Sequence, residues 1–441
     1  MYNEANVNIS DYAAKTQFNF HSIEIPIVEK NNLIPIGLDI GYSATKIYSI
    51  YGKHIFPSFL MRFPNEYIIN IKDTDILYRN EQGEIWGIGN VARERVLQDG
   101  IPIQSKKLYG RQRIDSPEFL VLIRVGLFLG LAKKDLGRTF LMEKERKIKI
   151  RTGLPVDYFM TDSENLESKF IGHHRYEVKI GARDWVKVDL DISEDDITVI
   201  TQPFGTLWSL IADFQGKLIN EKLLGRNVLI YDGGQHTTDT HFNQKGTIGE
   251  STTWTDISMV SIINKVKKAV FENTGGKGDF KEYAFDGLIT DEIEPCTVRY
   301  NNRGSIQLYD FTRDVLKATE EVAKYAISEL NIVYNYLADF HALICTGGVG
   351  KLLYPYFKNE YSHVDVILAE KSDATNPAEN FNTVLANVVG YFKSLIFEMA
   401  VEEETQKDIE VKENSSKADN IDAEKGLIKN LEANISSKEQ S

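Results

Sequence analysis

The sequence predicts an α/β protein of two similar domains that face one cleft, and three glycine-containing turns are the basis for this. Asp39 lies near the end of an apolar strand, and the turn at 41–43 leads into a returning strand. The segment 229–239 repeats this plan around Asp232. A third turn, at 346–348, follows an apolar strand and opens a helix. Apolar runs joined by glycine turns are typical of hairpins, and two hairpins with matched aspartates indicate two related domains.

Length and composition describe a globular protein of more than one domain. The chain has 441 residues, of which 42% are hydrophobic, and no apolar run approaches the ~20 residues that span a bilayer. Residues 1–6 lack the basic and apolar regions of a secretory signal. Cys296 and Cys345 are too few for a disulfide framework, which predicts a cytoplasmic location. The net charge of −13 argues against direct binding to nucleic acid, and we expect no membrane partner.

Between the turns, strand and helix patterns alternate along the chain. A serine cap followed by proline at 116–117 predicts the start of a helix with apolar residues at helical spacing. Alternating or continuous apolar runs predict strands at 45–51, 54–59, 147–151, 176–191 (a hairpin), 197–202, 227–231 and 341–345. Helical spacing predicts further helices at about 206–223, 256–271, 310–337 and 377–399.

Both ends of the chain differ from its centre. We interpret residues 1–32 as an N-terminal extension rather than a domain. Residues 402–441 hold 11 acidic residues and 6 lysines but no aromatic residue. So little apolar surface cannot offset chain entropy, which predicts a mostly disordered acidic tail. The alternative is one short helix through 427–435 that forms on a partner.

The order of these motifs resembles the actin, Hsp70 and sugar-kinase superfamily. Residues 39–46, Gln202, 232–239 and 346–348 correspond to its phosphate-1, connect-1, phosphate-2 and adenosine motifs. Together with these, other segments are similar to the bacterial plasmid-segregation actins, the ParM-like group. Those segments are 54–58, 86–92 and 152–156. The resemblance covers roughly residues 33–400.

The resemblance implies an actin-like fold, in which two ribonuclease H-like domains each carry a smaller subdomain and hold a nucleotide in the cleft between them. Domain I would comprise 33–203, with its small subdomain at about 55–100 and the helix 378–400 returning to it. Domain II would comprise 204–377, with its small subdomain at about 250–305. The tail would begin at 401.

The same resemblance implies an activity. Such proteins bind ATP or GTP with Mg²⁺, assemble into filaments and hydrolyse the nucleotide. The filaments move plasmid copies through an adaptor protein that is bound to a centromere-like DNA site. An adaptor would explain how an acidic protein serves DNA without contacting it.

The residues at the turns suit this chemistry. Concave rows of turn amides bind phosphate, and Lys46 adds a positive point charge. Asp39 and Asp232 are expected to hold Mg²⁺ through water, because Mg²⁺ keeps several waters and takes few protein carboxylates. The expected nucleotide-binding residues are Gly41, Tyr42, Ser43, Lys46, Gly233, Gly234, Gln235, His236, Gly347 and Gly348.

Gln202 is the expected catalytic residue. It lies at a predicted strand end at the connect-1 position, and its neutral amide can orient the attacking water but is a poor base, so hydrolysis should be slow. The alternative is an amide that only satisfies the backbone. His236 either reaches the γ-phosphate or its water, or is a solvent-facing histidine of the loop. Asp239 either hydrogen-bonds the water network or caps the hairpin turn. Lys267 and Lys268 either contact ribose or base, or form a solvated helix face.

Two departures from the family pattern leave other functions open. Gln235 and His236 stand where Gly-Thr is common, so the second phosphate loop is bulkier than expected, and the N-terminal extension is additional. A small-molecule kinase on the same fold is the first alternative function, although no sugar-binding signature is evident. A non-hydrolysing structural module is the second, against which Asp39, Lys46 and Asp232 argue.

Overall fold

The computed structural model describes residues 8–13, 15–63, 71–99, 111–133, 141–142, 146–245, 247–289 and 295–407. The strands are β1 (Gln17–Phe20), β2 (Leu33–Ile40), β3 (Ala44–Ser49), β4 (Gly52–Pro57), β5 (Leu60–Phe63), β6 (Ile76–Arg79), β7 (Ile85–Ile88), β8 (Ala132–Lys133), β9 (Leu141–Met142), β10 (Lys147–Leu154), β11 (Gly172–Ile180), β12 (Val186–Ile192), β13 (Ile197–Thr201), β14 (Asn227–Gly233), β15 (Thr238–Gln244), β16 (Thr247–Trp254), β17 (Thr297–Asn302), β18 (Ser305–Asp310), β19 (Ala342–Thr346) and β20 (Asp365–Leu368). The helices are α1 (Pro26–Lys30), α2 (Asn90–Asp99), α3 (Pro117–Leu131), α4 (Val156–Ser168), α5 (Gln202–Ile211), α6 (Glu221–Leu224), α7 (Met259–Asn273), α8 (Phe285–Leu288), α9 (Thr312–Val333) and α10 (Gly347–Glu360), followed by α11 (Thr383–Lys407).

Two large sheets share one plan. The first has the strand order β1-β4-β3-β2-β10-β13 and the second the order β16-β15-β14-β19-β20. In each sheet a central strand, β2 or β14, begins an antiparallel meander on one side. On its other side it pairs in parallel with strands from later in the chain. Because the carboxyl ends of parallel strands share one edge of a sheet, both Asp-containing turns lie at such an edge, as the duplicated pattern predicts.

Two apolar clusters pack against the large sheets. Ile34, Ile36 and Leu38 of β2 are fully buried in the first cluster, which also contains most of α3 and α11. The second cluster packs β14 and β19 against α7, α9 and α10. Cys296 and Cys345 are buried in this second cluster and form no disulfide. The other face of β14 and β19 belongs to the first cluster, through Val228, Ile230, Ala342 and Ile344. The first core therefore continues from the first sheet onto the second.

A smaller antiparallel sheet joins two distant segments. Its order is β12-β11-β6-β7-β5. The sequence predicts the first small subdomain at about 55–100, whereas this sheet also contains β11 and β12, which follow α4. Strand β11 pairs with β6 through the register Val178↔Tyr78. The hairpin itself was predictable from its alternating residues, whereas its attachment to β6 depends on a pairing between remote segments.

Helix α11 returns to the first core. It is apolar and long enough to cross a membrane, with a mean hydropathy of 1.5, yet 67% of that window is buried inside the protein. Val388 and Phe392 pack against β2, where a side chain on Gly37 would collide with the backbone of Val388. These contacts identify α11 as a core helix.

The predicted tail begins too early. Helix α11 continues through residues 401–407, which had been assigned to the tail. Glu403 forms ion pairs with Lys407, one helical turn later, at 2.6 Å and with Lys30 at 2.8 Å. These ion pairs stabilise the last turn of the helix. The remainder of the predicted tail, 408–441, lies outside the described residues.

The helix after β13 also differs from the prediction. It begins at Gln202 and ends at Ile211 instead of spanning 206–223. Pro203 lies in the first turn of α5, where proline is tolerated, so it starts a helix rather than only ending a strand. The carboxylate of Asp213 accepts the backbone N–H groups of Gln215 and Lys217 at 2.8 and 2.9 Å, and this turn replaces the predicted continuation.

The N-terminal segment is part of both halves. Strand β1 adds to the edge of the first sheet by pairing with β4. A 3-10 turn at Ile9–Tyr12 lies against the second core, in which Ile9 and Tyr12 are buried. The chain therefore passes from one half to the other within a few residues.

Candidate functional site

The two hairpin turns have the same internal geometry. The N–H of Gly41 donates to the carbonyl of Ala44 at 3.0 Å, and the N–H of Gly234 donates to the carbonyl of Thr237 at 2.8 Å. A Cβ on either glycine would lie within 2.9 Å of that same carbonyl oxygen. Each turn therefore requires glycine for its tightness, and each begins directly beyond a strand that carries an aspartate.

The ammonium group of Lys46 interacts with the carboxylates of both hairpins. Asp39 is only 2% exposed, and its Oδ2 lies 2.8 Å from Nζ of Lys46. Burial opposes the charge of Lys46, but Asp39 and then Asp232 outweigh it, so the pKa of the Lys46 ammonium is raised. Burial raises the pKa of Asp232, which Lys46 and a hydrogen bond from Asn387 partly offset. The cluster is thus two carboxylates, one from each half, around one ammonium group.

Gln202 joins this cluster from the start of α5. Its Nε2 donates to Oδ1 of Asp39 at 3.3 Å. Helix α5 can approach closely because Gly205 packs against the ring of Tyr391 and the backbone of α11. The expected catalytic amide therefore lies beside the first hairpin, held by a helix N-terminus and not by a strand end.

The third turn closes over the second hairpin. Gly347 has φ +74°, a conformation that favours glycine. A Cβ at this position would lie 2.8 Å from Oδ1 of Asp232 and would also collide with the carbonyl of Gly233. No atom of the described chain lies within 4 Å of a Cβ built on Gly348. The start of α10 thus contacts the second hairpin on one side and borders open space on the other.

Two adjoining cavities occupy the cleft. The inner cavity, of about 100 Å³, is lined by Asp39, Tyr42, Gln202 and Asp239 among others. The outer cavity, of about 400 Å³, includes Gly233, Gly347 and Gly348 in its wall. Residues that line both cavities are Ser43, Lys46, Asp232, Gly234 and Gln235. A larger cavity of about 830 Å³ lies near the amino ends of β2 and β10 and contains none of the predicted site residues.

Two residues of the turns meet each other across the cleft. The ring of Tyr42 packs edge to face on the ring of His236, with centroids 5.5 Å apart. Burial, and then the charge of Arg113, lower the pKa of His236. Gly41 and Tyr42 line the inner cavity, whereas His236 packs against Tyr42 and lines neither cavity. The structure therefore brings the predicted site residues together, with His236 behind the cavity wall.

Sequence reasoning missed Arg113. Its guanidinium carbon lies 4.0 Å from the ring centroid of Tyr42, and its Nη2 donates to the carbonyl of Ile40 at 2.7 Å. Arg111 lines the same inner cavity but pairs with Asp162. Arg113 comes from a short 3-10 turn before α3, and an isolated arginine in such a segment carries no sequence signal.

Asp239 lies in the wall of the inner cavity. It accepts hydrogen bonds from Thr253 at 2.5 Å and from Thr237 at 3.3 Å. Burial raises the pKa of Asp239 to about 6. Lys267 and Lys268 do not reach the cavities; they lie near Asp279 and Glu272 on the outer face of α7. Of these candidates, only Asp239 is placed for chemistry in the cleft.

Comparisons with known proteins agree with this architecture. Residues 37–205 match the family model described as actin like proteins N terminal domain. A 15-stranded ParM filament from Clostridium botulinum is similar in structure, with a TM-score of 0.61, 22% identity, and coverage of 82% of this chain and 99% of that chain. A non-polymerisable quadruple mutant of pCBH ParM gives a TM-score of 0.60 and 21% identity over 82% and 98% of the two chains.

The archaeal actin homologue Ta0583 in complex with ADP is also similar, with a TM-score of 0.55, 16% identity, and coverage of 82% of this chain and 99% of that chain. No curated protein matches the sequence significantly. The family model and the structural matches confirm the predicted resemblance to ParM-like proteins. At these identities the structural likeness establishes the fold, which is actin-like as predicted.

Proposed function

We propose that this chain is a nucleoside triphosphatase that binds ATP or GTP with Mg²⁺ between its two halves and assembles into filaments. One observation carries the proposal: two aspartate-bearing hairpins, one from each half, meet around Lys46. A glycine turn at the start of α10 borders the same space. Paired anion-binding turns with a central cation suit a phosphate chain that bridges the halves.

The residues present fit a hydrated Mg²⁺. Asp39 and Asp232 supply two hard oxygen donors, and the described residues include no cluster of three or more metal-ligating side chains. Mg²⁺ is commonly held by one or two carboxylates together with substrate phosphates and waters. The bound ion would supply neutralisation of charge on the phosphate oxygens. Lys46, which is paired with Asp39 and is also influenced by the charge of Asp232, would pair with the phosphates.

The turns would position the nucleotide. The amides of Gly41 and Gly234 donate within their own turns. The remaining amides of the two turns, such as those of Ser43 and Gln235 in the shared wall of the cavities, would contact the phosphates. Arg113, held over Tyr42, would add positive charge at the inner end. Gly347 and Gly348 would allow the sugar and base to approach the backbone at the outer end. The inner cavity is thus the place for the terminal phosphate and its water.

Hydrolysis in this site depends on positioning. Gln202 donates one amide hydrogen to Asp39, which fixes the side chain so that its carbonyl oxygen can orient a water. Asp239, with a pKa of about 6, is ionised at neutral pH and would take up the proton that leaves that water. A neutral amide is a poor base, so we expect slow hydrolysis. Slow hydrolysis suits a filament that persists for some time after assembly.

The cellular role follows from the relatives. The Clostridium botulinum ParM is described as a filament, and filament-forming actins of this group move plasmids through an adaptor on centromere-like DNA. The net charge of −13 suits an adaptor-mediated link to DNA. We therefore propose that the protein is a cytoplasmic plasmid-partition filament.

The direct test is assembly. Purified protein with Mg²⁺ and ATP or GTP should scatter light at right angles, pellet at high speed and show filaments by electron microscopy. The matched control is the same protein with EDTA. If the protein stays monomeric and instead shows turnover stimulated by a small hydroxyl-bearing substrate, it is a kinase of the same fold. If it binds nucleotide but never releases phosphate, the structural-module alternative holds.

A further inference from the structure

Residues of the N-terminal segment on both sides of position 14 line the outer cavity. We propose that residues 8–13 and 15–17, here called the strap, close this cavity and set how fast a nucleotide enters and leaves. The inference rests on the proposed function, because the ligand is the proposed nucleotide. The strap lies before the first hairpin and belongs to none of the motifs that predicted the site.

The first anchor of the strap is on the second half. Tyr12 is only 2% exposed and lies in the second core with Ile9. Its hydroxyl lies 2.5 Å from Oγ1 of Thr319 on α9. Asp11 forms an ion pair with Lys351 of α10, with the carboxylate oxygen 3.0 Å from Nζ. Since α10 begins at Gly347, the strap is fastened to the helix whose N-terminus borders the cavity.

The second anchor is on the first half. Strand β1 pairs with β4 through the register Gln17↔Ile55 to Phe20↔Gly52. Phe18 and Phe20 pack against His54, with ring centroids 5.9 and 4.6 Å away. Strand β4 follows β3, which carries Lys46. The strap is therefore fastened to each half close to that half's contribution to the site.

Between its anchors the strap forms one wall of the outer cavity. Ser10, Asp11, Tyr12, Ala13, Lys15 and Gln17 all line it. The opposite walls include Lys46, Gly347 and Gly348. A cavity of about 400 Å³ is within the range of small-molecule sites, roughly 300–1,000 Å³. A nucleotide thus fits with the strap in place, and its sugar and base would lie beneath the strap.

This arrangement has a kinetic consequence. Because the two anchors lie on different halves, opening the cleft on this side requires one anchor to detach. The anchor on the second half is the weaker point, because it consists of two buried side chains, one hydroxyl contact and one ion pair rather than a strand ladder. Weakening that anchor should speed both entry and escape, with a smaller effect on equilibrium affinity.

Release of a fluorescent nucleotide tests the strap. The protein is loaded with mant-ADP or mant-GDP and Mg²⁺, and fluorescence decay is followed after excess unlabelled nucleotide is added. Tyr12→Ala should release the probe at least about tenfold faster than the wild type, and Tyr12→Phe should have a smaller effect. Circular dichroism melting curves show whether each variant is folded.

A charge exchange keeps the test valid if Tyr12→Ala does not fold. Asp11→Lys and Lys351→Asp should each accelerate release several-fold, and the double variant should return toward the wild-type rate. Lys358→Asp, an exposed position later on α10, is the matched control and should not change release. Unchanged release in both single variants and in folded Tyr12→Ala would overturn the strap while leaving nucleotide binding intact. Failure of the wild type to bind either probe would instead overturn the proposed function.

Discussion

Tyr42 and His236 connect the turns of the two aspartate-bearing hairpins, with ring centroids 5.5 Å apart and planes at 74°. Each ring comes from a different half of the molecule, so the contact limits how far the turns can separate. The guanidinium carbon of Arg113 lies 4.0 Å from the ring centroid of Tyr42, which adds a charged group beside this aromatic pair. The unusual residue of the second loop is therefore a cross-cleft contact.

Removal of this contact should weaken nucleotide binding. We expect His236→Ala to reduce affinity for Mg-nucleotide by roughly 2- to 10-fold, because edge-to-face aromatic pairs contribute about 0.5–1.5 kcal/mol beyond burial. Fluorescence titration with a mant-nucleotide measures the change. Tyr42→Phe keeps the ring and should bind as the wild type does. The exposed His363 provides a control, His363→Ala. Equal affinity in His236→Ala would show that the ring pair does not couple the turns.

Gln202→Ala should separate assembly from hydrolysis. The amide contacts Asp39 from the start of α5, and its loss leaves both phosphate turns intact. We expect polymer to form in pelleting assays while phosphate release slows by about 10- to 100-fold, the range for loss of a positioning group. Gln215→Ala, on the exposed turn after α5, should hydrolyse normally. A loss of nucleotide affinity in Gln202→Ala would show that this side chain binds nucleotide and does not position water.

Asp232→Asn should weaken binding only when Mg²⁺ is present. The substitution keeps the shape of the side chain and an oxygen that can accept the hydrogen bond from Asn387. It removes one carboxylate from the proposed metal site. Affinity for nucleotide should fall at least about tenfold with Mg²⁺, and should be little changed in EDTA. Isothermal titration in both buffers measures the difference. The exposed Asp365→Asn controls for net charge. A similar loss in EDTA would exclude a metal-dependent role.

Local patterns were enough to predict the hairpins. The strands that carry Asp39 and Asp232 are continuous apolar runs, and the glycines that follow them indicate tight turns. In such a hairpin the two paired strands lie within a few residues of each other in the sequence, so a local pattern is enough to predict the pairing. Gln202 was identified by its place between these turns in the sequence and by its match to the connect-1 motif. The prediction that it ends a strand was wrong, because it begins α5. The sequence showed Pro203 as a strand breaker, whereas proline serves equally in the first turn of a helix.

Features that depend on remote pairing were not predictable. The ladder between β1 and β4 turns the extension into a sheet strand, but Phe18 and Phe20 form a short alternating pattern with many possible partners. Arg113 reaches Tyr42 only because α3 packs on the first sheet. The attachment of β11 to β6 is of the same kind. In each case the deciding contact joins segments whose proximity is a product of the whole fold.

His54 should make the protein sensitive to acid. Its ring is fully buried between Phe18 and Phe20, and neither ring nitrogen has a hydrogen-bond partner within the described part of the chain. Burial, and then the charge of His21, lower the pKa of His54 to about 3. An unfolded histidine titrates near 6.5, so between about pH 6.5 and 3 the unfolded chain binds the extra proton. Stability should therefore fall as pH drops through this window, by up to about 1.4 kcal/mol per pH unit for this group.

Melting curves at pH 7.5 and pH 5 test this expectation. In His54→Leu the titrating ring is replaced by an apolar side chain, so the difference in Tm between the two pH values should be smaller than in the wild type. It should not vanish, because burial also lowers the pKa of His21 to about 4 and that of His241 to about 3. His341→Leu, at an exposed position, is the matched control and should keep the wild-type pH dependence. An unchanged Tm difference in His54→Leu would mean that the pocket beneath β1 opens to water, so that His54 protonates without unfolding.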